Sequence, residues 1–294
     1  MLAVLGTVPD EDSGMTMGRV DLTTHKTLEI NNKHIPVNRG TPALLGAMVS
    51  VINCLNRKTG SKHEVQAFLA GDTGLGRGSF DLYQYLVDNI SFMDLDMIVF
   101  HYLQPDVDWH NKILLQLQAL EKKPVIIADA GFMYAAKMSG YAPSYDLFTP
   151  DVGELAFLAD EAAPHPFYTR GFILHENNKI PDLIARAYQH DNSARYLLVK
   201  GAKDYIADRD GIMASVDFPV TEAMEAVGGT GDTLTGTAAA LTGSGYNIPE
   251  AAEMAAKVNR IAGQMANTDP ATQIDRIIQC LPRALEGVLS LRPG

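Results

Sequence analysis

Val65-Gln66-Ala67-Phe68-Leu69-Ala70 is the first of several short apolar runs that alternate with stretches of helical periodicity. A helix near 79–90 follows it, then Met97-Ile98-Val99-Phe100, a helix near 108–121, and Pro124-Val125-Ile126-Ile127-Ala128-Asp129. Apolar strands separated by helices are typical of a parallel sheet that is covered on both faces. The middle of the chain therefore predicts an α/β fold with three layers, helix on sheet on helix, around a mostly parallel sheet.

The alternation continues on both sides of this stretch. Leu147-Phe148-Thr149 precedes a helix from about residue 151, and the apolar start at residues 1–8 predicts a buried first strand rather than a signal peptide. No linker, internal repeat or low-complexity tract interrupts the pattern. We therefore expect residues 1–294 to form one domain.

Two segments predict antiparallel strands instead. Residues 196–218 contain Asp208-Arg209-Asp210-Gly211 between apolar runs, which is typical of a hairpin turn. Residues 18–37 contain two β-like runs around a turn at Asn31-Asn32-Lys33, and we expect a small amino-terminal β hairpin that serves as a lid over an adjoining site.

Composition excludes several classes of function. The chain has 294 residues, 46% of them hydrophobic, and a formal net charge of -11, which argues against a nucleic-acid surface. No apolar run approaches the roughly 18 residues that cross a bilayer. Cys54 and Cys280 are the only cysteines and predict neither a disulfide framework nor a zinc site. We expect a cytoplasmic protein that binds no nucleic acid and no membrane.

A glycine-rich turn carries the main functional signal. It is Gly228-Gly229-Thr230-Gly231-Asp232-Thr233-Leu234-Thr235-Gly236, followed by a helical stretch. Backbone N–H groups at a helix N-terminus bind anions, and glycines let several of them converge on a phosphate. A carboxylate at Asp232 would then accept a proton from an attacking hydroxyl. The alternative is that Asp232 only caps the helix.

This turn resembles a known motif. Gly229-Thr230-Gly231-Asp232 resembles the anion-hole motif of the ribokinase-like superfamily, and the longer run to Gly236 is most similar to its NAD(P)H-hydrate dehydratase branch, also called carbohydrate kinase. Three further segments resemble that family in the same order, and together they extend the resemblance over about residues 95–265: Val125-Ile126-Ile127-Ala128-Asp129-Ala130, Thr149-Pro150-Asp151-Val152-Gly153-Glu154-Leu155 and Leu198-Val199-Lys200-Gly201-Ala202.

The resemblance implies roles for particular residues. It implies Asp232 as the catalytic base, with Gly229, Thr230 and Gly231 holding the transferred phosphoryl group. It also implies that Glu154 positions Mg²⁺ or its water shell, although an acid in the first turn of a helix also complements the helix dipole.

The remaining assignments concern ligands. Lys200, Gly201 and Asn259 are expected to bind the nucleotide, ATP or ADP, and Asn38, Gly40 and Asp129 the substrate. Four of these residues have a simpler alternative. Lys200 can be a solvated charge at a strand end, and Asn259 can be an exposed polar residue. Asn38 and Gly40 can equally belong to an ordinary helix start. His101 and Trp109 are interpreted as packing residues.

Several functions stay open at this point. A dehydratase of this family phosphorylates a hydroxyl and then expels phosphate, whereas a kinase for a sugar or vitamin precursor stops after the transfer. His101-Tyr102-Leu103-Gln104-Pro105-Asp106 stands where dehydratases usually carry Gly-Pro-Gly-Leu-Gly, which favours a different pocket. A nucleotide-binding regulatory protein without catalysis is a third hypothesis. A nicotinamide oxidoreductase is a fourth, although the run 71–78 is followed by Ser79 where a third glycine is expected. A homo-oligomer is expected by analogy only.

Overall fold

The architecture is a mixed sheet between two layers of helices. The computed structural model describes residues 1–24, 26–165 and 179–291. The strands are β1 (Leu2–Val8), β2 (Thr16–Thr24), β3 (Thr27–Ile30), β4 (Lys33–Pro36), β5 (Val65–Gly71), β6 (Met97–His101), β7 (Val125–Ala128), β8 (Leu147–Phe148), β9 (Tyr196–Val199), β10 (Asp204–Asp208) and β11 (Gly211–Val216). The helices are α1 (Thr41–Thr59), α2 (Arg77–Asn89), α3 (Val107–Ala119), α4 (Gly131–Met138), α5 (Val152–Ala159), α6 (Ile180–Gln189), α7 (Thr230–Gly243), α8 (Ile248–Met265) and α9 (Ile274–Ser290).

The strands follow the order β11-β10-β9-β8-β7-β6-β1-β5-β2-β3-β4. The central run from β5 through β1 to β9 is parallel, and the strands on both flanks pair antiparallel. The predicted hairpin at 196–218 is confirmed as β10 and β11, which turn at Asp208–Gly211. The mostly parallel α/β fold predicted from the sequence is therefore confirmed.

Alternation along the central strands fills two separate cores. In β1, Val4 faces a core shared with α1, α7, α8 and α9, whereas Ala3 and Leu5 face a core shared with α2 to α6. The other central strands divide their side chains in the same way, because successive residues of a strand point to opposite faces. Burial on both faces explains why these strands are continuously apolar in sequence.

The amino-terminal strands extend the sheet beyond β5. The stretch predicted as two runs folds as three strands, β2 to β4, and the predicted turn between β3 and β4 has positive φ angles at Asn31 and Asn32. Val20, Leu28 and Ile30 are buried in the core that contains α1. Residue 25 lies outside the described residues, and the role of these strands as a lid stays a prediction.

Two further features concern membrane segments and cysteines. Within the described ranges, no helix is long and apolar enough to span a membrane. Cys54 and Cys280 are both free thiols, as the sequence predicts.

Candidate active site

The sheet brings four polar side chains to one edge. His101 is the last residue of β6, and Asp129, Thr149 and Lys200 come directly after β7, β8 and β9. These four strands are neighbours and parallel, so their carboxyl ends meet at the same edge. Ligand sites of open α/β sheets form at this edge.

Helix α7 begins over this edge at the glycine-rich turn. Its N-cap is Gly229, whose φ of 102° lies in the region that favours glycine, and no side chain caps the helix. The amides of residues 230–232 occupy the first turn, where N–H groups have no partner inside the helix. Gly236 lets α7 approach α1 closely, because a Cβ there would lie 2.2 Å from the Leu44 carbonyl oxygen.

Asp232 turns its side chain away from its own helix. The Gly40 amide donates a hydrogen bond of 2.6 Å to Asp232 Oδ2, and His101 Nε2 lies 3.2 Å from Oδ1 without a well-oriented hydrogen bond. The residue is only 6% exposed. Burial raises its pKa, but His101, Lys200 and the Gly40 amide outweigh that effect and hold the pKa of Asp232 below its usual value. The carboxylate is therefore ionised at neutral pH.

Asp129 and Lys200 form a buried ion pair beneath α7. Lys200 Nζ lies 2.8 Å from Asp129 Oδ2, and the Thr235 hydroxyl donates to the same oxygen over 2.9 Å. Burial lowers the pKa of Lys200, but the carboxylates of Asp129 and Glu154 raise it by more than burial lowers it. The ammonium group therefore stays charged. A Cβ on Gly231 would lie 3.5 to 3.7 Å from the end of the Lys200 side chain, so this charge rests against the glycine-rich turn.

Glu154 helps to cap the amino-terminal end of α5, and it is close enough to Asp129 and Lys200 to feel their charges. With Asp151 it forms a capping box, in which each carboxylate accepts the other residue's amide over 2.8 Å. The Tyr134 hydroxyl donates to Glu154 Oε1 over 2.8 Å. Burial, and next the charge of Asp129, raise the pKa of Glu154 to about 7.

The carboxylates at this edge are compatible with Mg²⁺. Across the part of the chain that is described, no cluster of three or more His, Cys, Asp or Glu side chains forms a metal cage. Mg²⁺ is commonly held by one or two carboxylates together with water and phosphate oxygens. The repulsion between Glu154 and Asp129 that raises the pKa of Glu154 is one that a cation would relieve.

The predicted nucleotide residues on α8 and after β9 are engaged within the protein. Asn259 is buried, with Oδ1 accepting the Thr233 hydroxyl over 2.8 Å and Nδ2 donating to the Thr230 carbonyl over 3.1 Å. The Gly201 amide donates to Asp204 Oδ1 over 3.1 Å. Asn259 therefore fixes the first turn of α7, and Gly201 belongs to a closed turn.

The predicted substrate residues lie on two sides of Asp232. Gly40 is the N-cap of α1, with a φ of 67°, and its amide contacts Asp232 as described above. Asn38 is exposed just before it. Asp129 lies on the other side, in the ion pair with Lys200.

Sequence analysis missed the part played by His101. The side chain is fully buried, with Nδ1 3.0 Å from Thr41 Oγ1 and Nε2 between the carboxylates of Asp232 and Asp129. A signal was present, because His101 ends β6 and Asp129 directly follows β7. Neighbouring parallel strands end at the same edge of a sheet. Tyr102, which follows His101, was also missed.

Comparison with known proteins identifies similar chains. Residues 104–283 match the Carb_kinase family model, described as NAD(P)H-hydrate dehydratase. The uncharacterized protein MJ1337 of Methanocaldococcus jannaschii is 39% identical over 247 residues, which are 84% of this chain and 100% of that protein. The bifunctional NAD(P)H-hydrate repair enzyme Nnr of Pyrobaculum aerophilum is 33% identical over 141 residues, which are 47% of this chain and 25% of that enzyme.

Solved structures share the fold at low sequence identity. A ribokinase-like superfamily protein of Enterococcus faecalis aligns with a TM-score of 0.59 and 17% identity, covering 97% of this chain and 86% of that one. The pyridoxal kinase of Staphylococcus aureus in complex with AMP-PCP and pyridoxal aligns with a TM-score of 0.54 and 15% identity, covering 88% and 86%. The layered architecture is thus that of ribokinase-like proteins.

Proposed function

Because the chain belongs to the carbohydrate-kinase family of NAD(P)H-hydrate dehydratases, we propose that it uses ATP or ADP, with Mg²⁺, to phosphorylate a hydroxyl of a small molecule, with hydrated NAD(P)H as the first candidate. The observation that carries the proposal is Asp232, a buried and ionised carboxylate on the first turn of α7. A base and an anion site within one helical turn are the groups that phosphoryl transfer requires.

The transferred phosphoryl group is assigned to the amino-terminal end of α7. The amides of Thr230, Gly231 and Asp232 lack partners inside the helix, and the helix dipole favours an anion at this end. Gly229 allows this turn to pack closely, because a Cβ there would lie 2.9 Å from Ile274 Cγ1. Lys200 adds a positive charge beside Gly231, and its pairing with Asp129 keeps it in place. Charge that develops on the phosphoryl oxygens is stabilised by these fixed groups.

Asp232 is assigned as the general base. Its Oδ2 accepts the Gly40 amide, and His101 approaches its Oδ1, so the carboxylate has a fixed orientation. Each carboxylate oxygen has a second lone pair, so a substrate hydroxyl can still donate to Asp232. The lowered pKa keeps the base ionised before the hydroxyl arrives.

Mg²⁺ would supply charge neutralisation for the nucleotide phosphates when it is bound. Glu154 and Asp129 are the carboxylates that would face it, through water or directly. Glu154 is held for this role by Tyr134 and by the capping box of α5.

The family match favours the dehydratase outcome, in which phosphate leaves after the transfer and a double bond forms in the substrate. A kinase outcome is favoured by the loop after β6. Tyr102 occupies this loop with its backbone in the left-handed region, at a φ of 51°, where the family usually has glycines. The Tyr102 ring adds bulk beside Gly40, which contacts Asp232, so a smaller acceptor than a hydrated dinucleotide is favoured.

The first experiment follows the absorbance of regenerated NAD(P)H when hydrated NAD(P)H is mixed with the protein, Mg²⁺ and either ATP or ADP. We expect Asp232→Asn to reduce the rate by about 10² to 10⁴, the usual contribution of a general base. Asp182→Asn is the matched control, because Asp182 is an exposed acid at the same position of the first turn of α6. Its rate should equal that of the unmodified protein.

The outcomes separate the candidates. Regeneration that requires nucleotide and Asp232 supports the dehydratase. Phosphoryl transfer to another hydroxylated compound, lost in Asp232→Asn, supports the kinase. Tight nucleotide binding with no turnover of any acceptor would contradict both and support a regulatory protein.

A further inference from the structure

Two loops that precede the family-matched residues meet next to Asp232. The loop between β4 and α1 carries Arg39 and Gly40, and the loop after β6 carries Tyr102. The family match begins at residue 104, so it assigns no role to any of them. The arrangement of these three residues indicates which chemical class of acceptor substrate would bind here.

Gly40 is the residue of these loops that contacts Asp232. Its amide donates to Asp232 Oδ2 over 2.6 Å, so a molecule that lies over Gly40 is next to the proposed base. A Cβ on Gly40 would come within 3.8 Å of the Tyr102 ring. The absence of a side chain therefore leaves a space between the ring and the turn.

Tyr102 forms an aromatic wall of this space. Its φ of 51° is unfavourable for a bulky residue, and such strain concentrates at functional sites. The Thr7 hydroxyl donates to its carbonyl oxygen over 2.6 Å, and the ring meets His101 edge to face at 4.5 Å between centroids. The residue is nevertheless 51% exposed, so part of it is accessible to a ligand.

Arg39 provides an unpaired positive charge next to the same space. Its Cδ would lie 3.7 Å from a Cβ on Gly228, so its stem rests on the start of the glycine-rich turn. Arg39 is exposed and, among the residues that the structure describes, forms no ion pair. An exposed guanidinium whose stem lies against the glycine-rich turn is suited to bind an anion.

Two cations thus contact different residues of the glycine-rich turn. Lys200, which is assigned to the nucleotide, lies against Gly231, and Arg39, which precedes Gly40, lies against Gly228. We propose that Arg39, Gly40 and Tyr102 form an acceptor subsite for a hydroxylated molecule that carries a negatively charged group, a phosphate ester or a carboxylate, which Arg39 binds. This inference rests on the proposed function, and it adds the chemical class of the acceptor.

The test uses three fluorescent probes that share a ribose and a reduced pyridine ring. Reduced nicotinamide riboside is neutral, reduced nicotinamide mononucleotide adds a phosphate, and reduced nicotinic acid riboside has a carboxylate in place of the carboxamide. Each is titrated into the protein with saturating Mg²⁺ and AMP-PCP, so that the nucleotide site is already filled. Arg39→Gln removes the charge and keeps most of the stem that packs on Gly228.

We expect at least one anionic probe to bind about ten- to a hundredfold more tightly than the neutral probe, the range of a charge-assisted hydrogen bond. Arg39→Gln should remove this preference and leave the affinity for the neutral probe unchanged. Arg57→Gln is the matched control, because Arg57 is exposed in the last turn of α1, at the opposite end of the same helix. It should keep the preference.

The anionic probe that is preferred identifies the group as phosphate or carboxylate. Equal affinity for all three probes, equal loss of all three in Arg39→Gln, or no binding of any probe would overturn the inference. The proposed function is tested separately, since AMP-PCP binding and Asp232-dependent turnover require no preference for an anion. If those two hold and the preference is absent, only the inference fails.

Discussion

His101 Nε2 lies 3.2 Å from Asp232 Oδ1, which joins the end of β6 to the first turn of α7. The other ring nitrogen, Nδ1, lies 3.0 Å from Thr41 Oγ1. When the Thr41 hydroxyl donates to Nδ1, a neutral ring carries its proton on Nε2, facing the two carboxylates. We therefore propose that His101 is a positioning residue, which would act on the substrate through Asp232.

Removing this donor should change the pH dependence of the reaction. We expect His101→Phe to raise the pKa of Asp232, since burial would then be less strongly opposed. The acidic limb of kcat/KM should therefore move to higher pH. The matched variant is His101→Gln, which keeps an N–H donor and should move the limb less. Identical pH profiles for all three proteins would contradict the role.

The Lys200–Asp129 pair gives a prediction about stability. Lys200→Met leaves Asp129 buried without its cation, and such a loss typically costs about 3 to 5 kcal/mol. We expect Lys200→Met to lower the free energy of unfolding by roughly this amount in urea titrations. Combining it with Asp129→Asn should recover much of the loss, because no unpaired charge then remains. Additive costs in the double variant would argue against the pair.

The fold was largely predictable from the sequence, whereas the site was predictable only in part. Apolar runs that alternate with helical periodicity carry the parallel sheet, and local glycine chemistry places Asp232 at the start of α7. The contact between Gly40 and Asp232 joins residues 192 positions apart, and no local pattern indicates it. Asn259 is a second example. An asparagine on a helix is expected to be exposed, and its burial follows only from the packing of α8 against α7.

The buried amide of Asn259 should stabilise the first turn of α7. It accepts from the Thr233 hydroxyl and donates to the Thr230 carbonyl, so Asn259→Ala removes two hydrogen bonds. We expect a loss of about 1 to 3 kcal/mol in the free energy of unfolding, together with weaker AMP-PCP binding. A double-mutant cycle with Thr233→Ala measures the coupling. Independent effects of the two substitutions would show that the contact contributes little.

Glu154 predicts a dependence of stability on pH. Burial and the charge of Asp129 raise its pKa from 4.5 to about 7 in the folded protein, so folding favours the protonated carboxyl group. Ionising it therefore costs stability. This cost is absent below the unfolded pKa, grows between pH 4.5 and about 7, and is complete above that value.

We expect the free energy of unfolding to fall across this range by roughly 1 to 3 kcal/mol from this group. Glu154→Gln keeps an oxygen for the capping box and removes the charge, so it should be more stable than the unmodified protein at pH 8 and should lack the decline. Mg²⁺ should reduce the decline in the unmodified protein and not in the variant, because the cation offsets the charge of Glu154. Urea titrations at several pH values, with and without Mg²⁺, measure both effects. A decline that is unchanged in Glu154→Gln would assign it to other groups, and an equal response of both proteins to Mg²⁺ would remove Glu154 from the metal site.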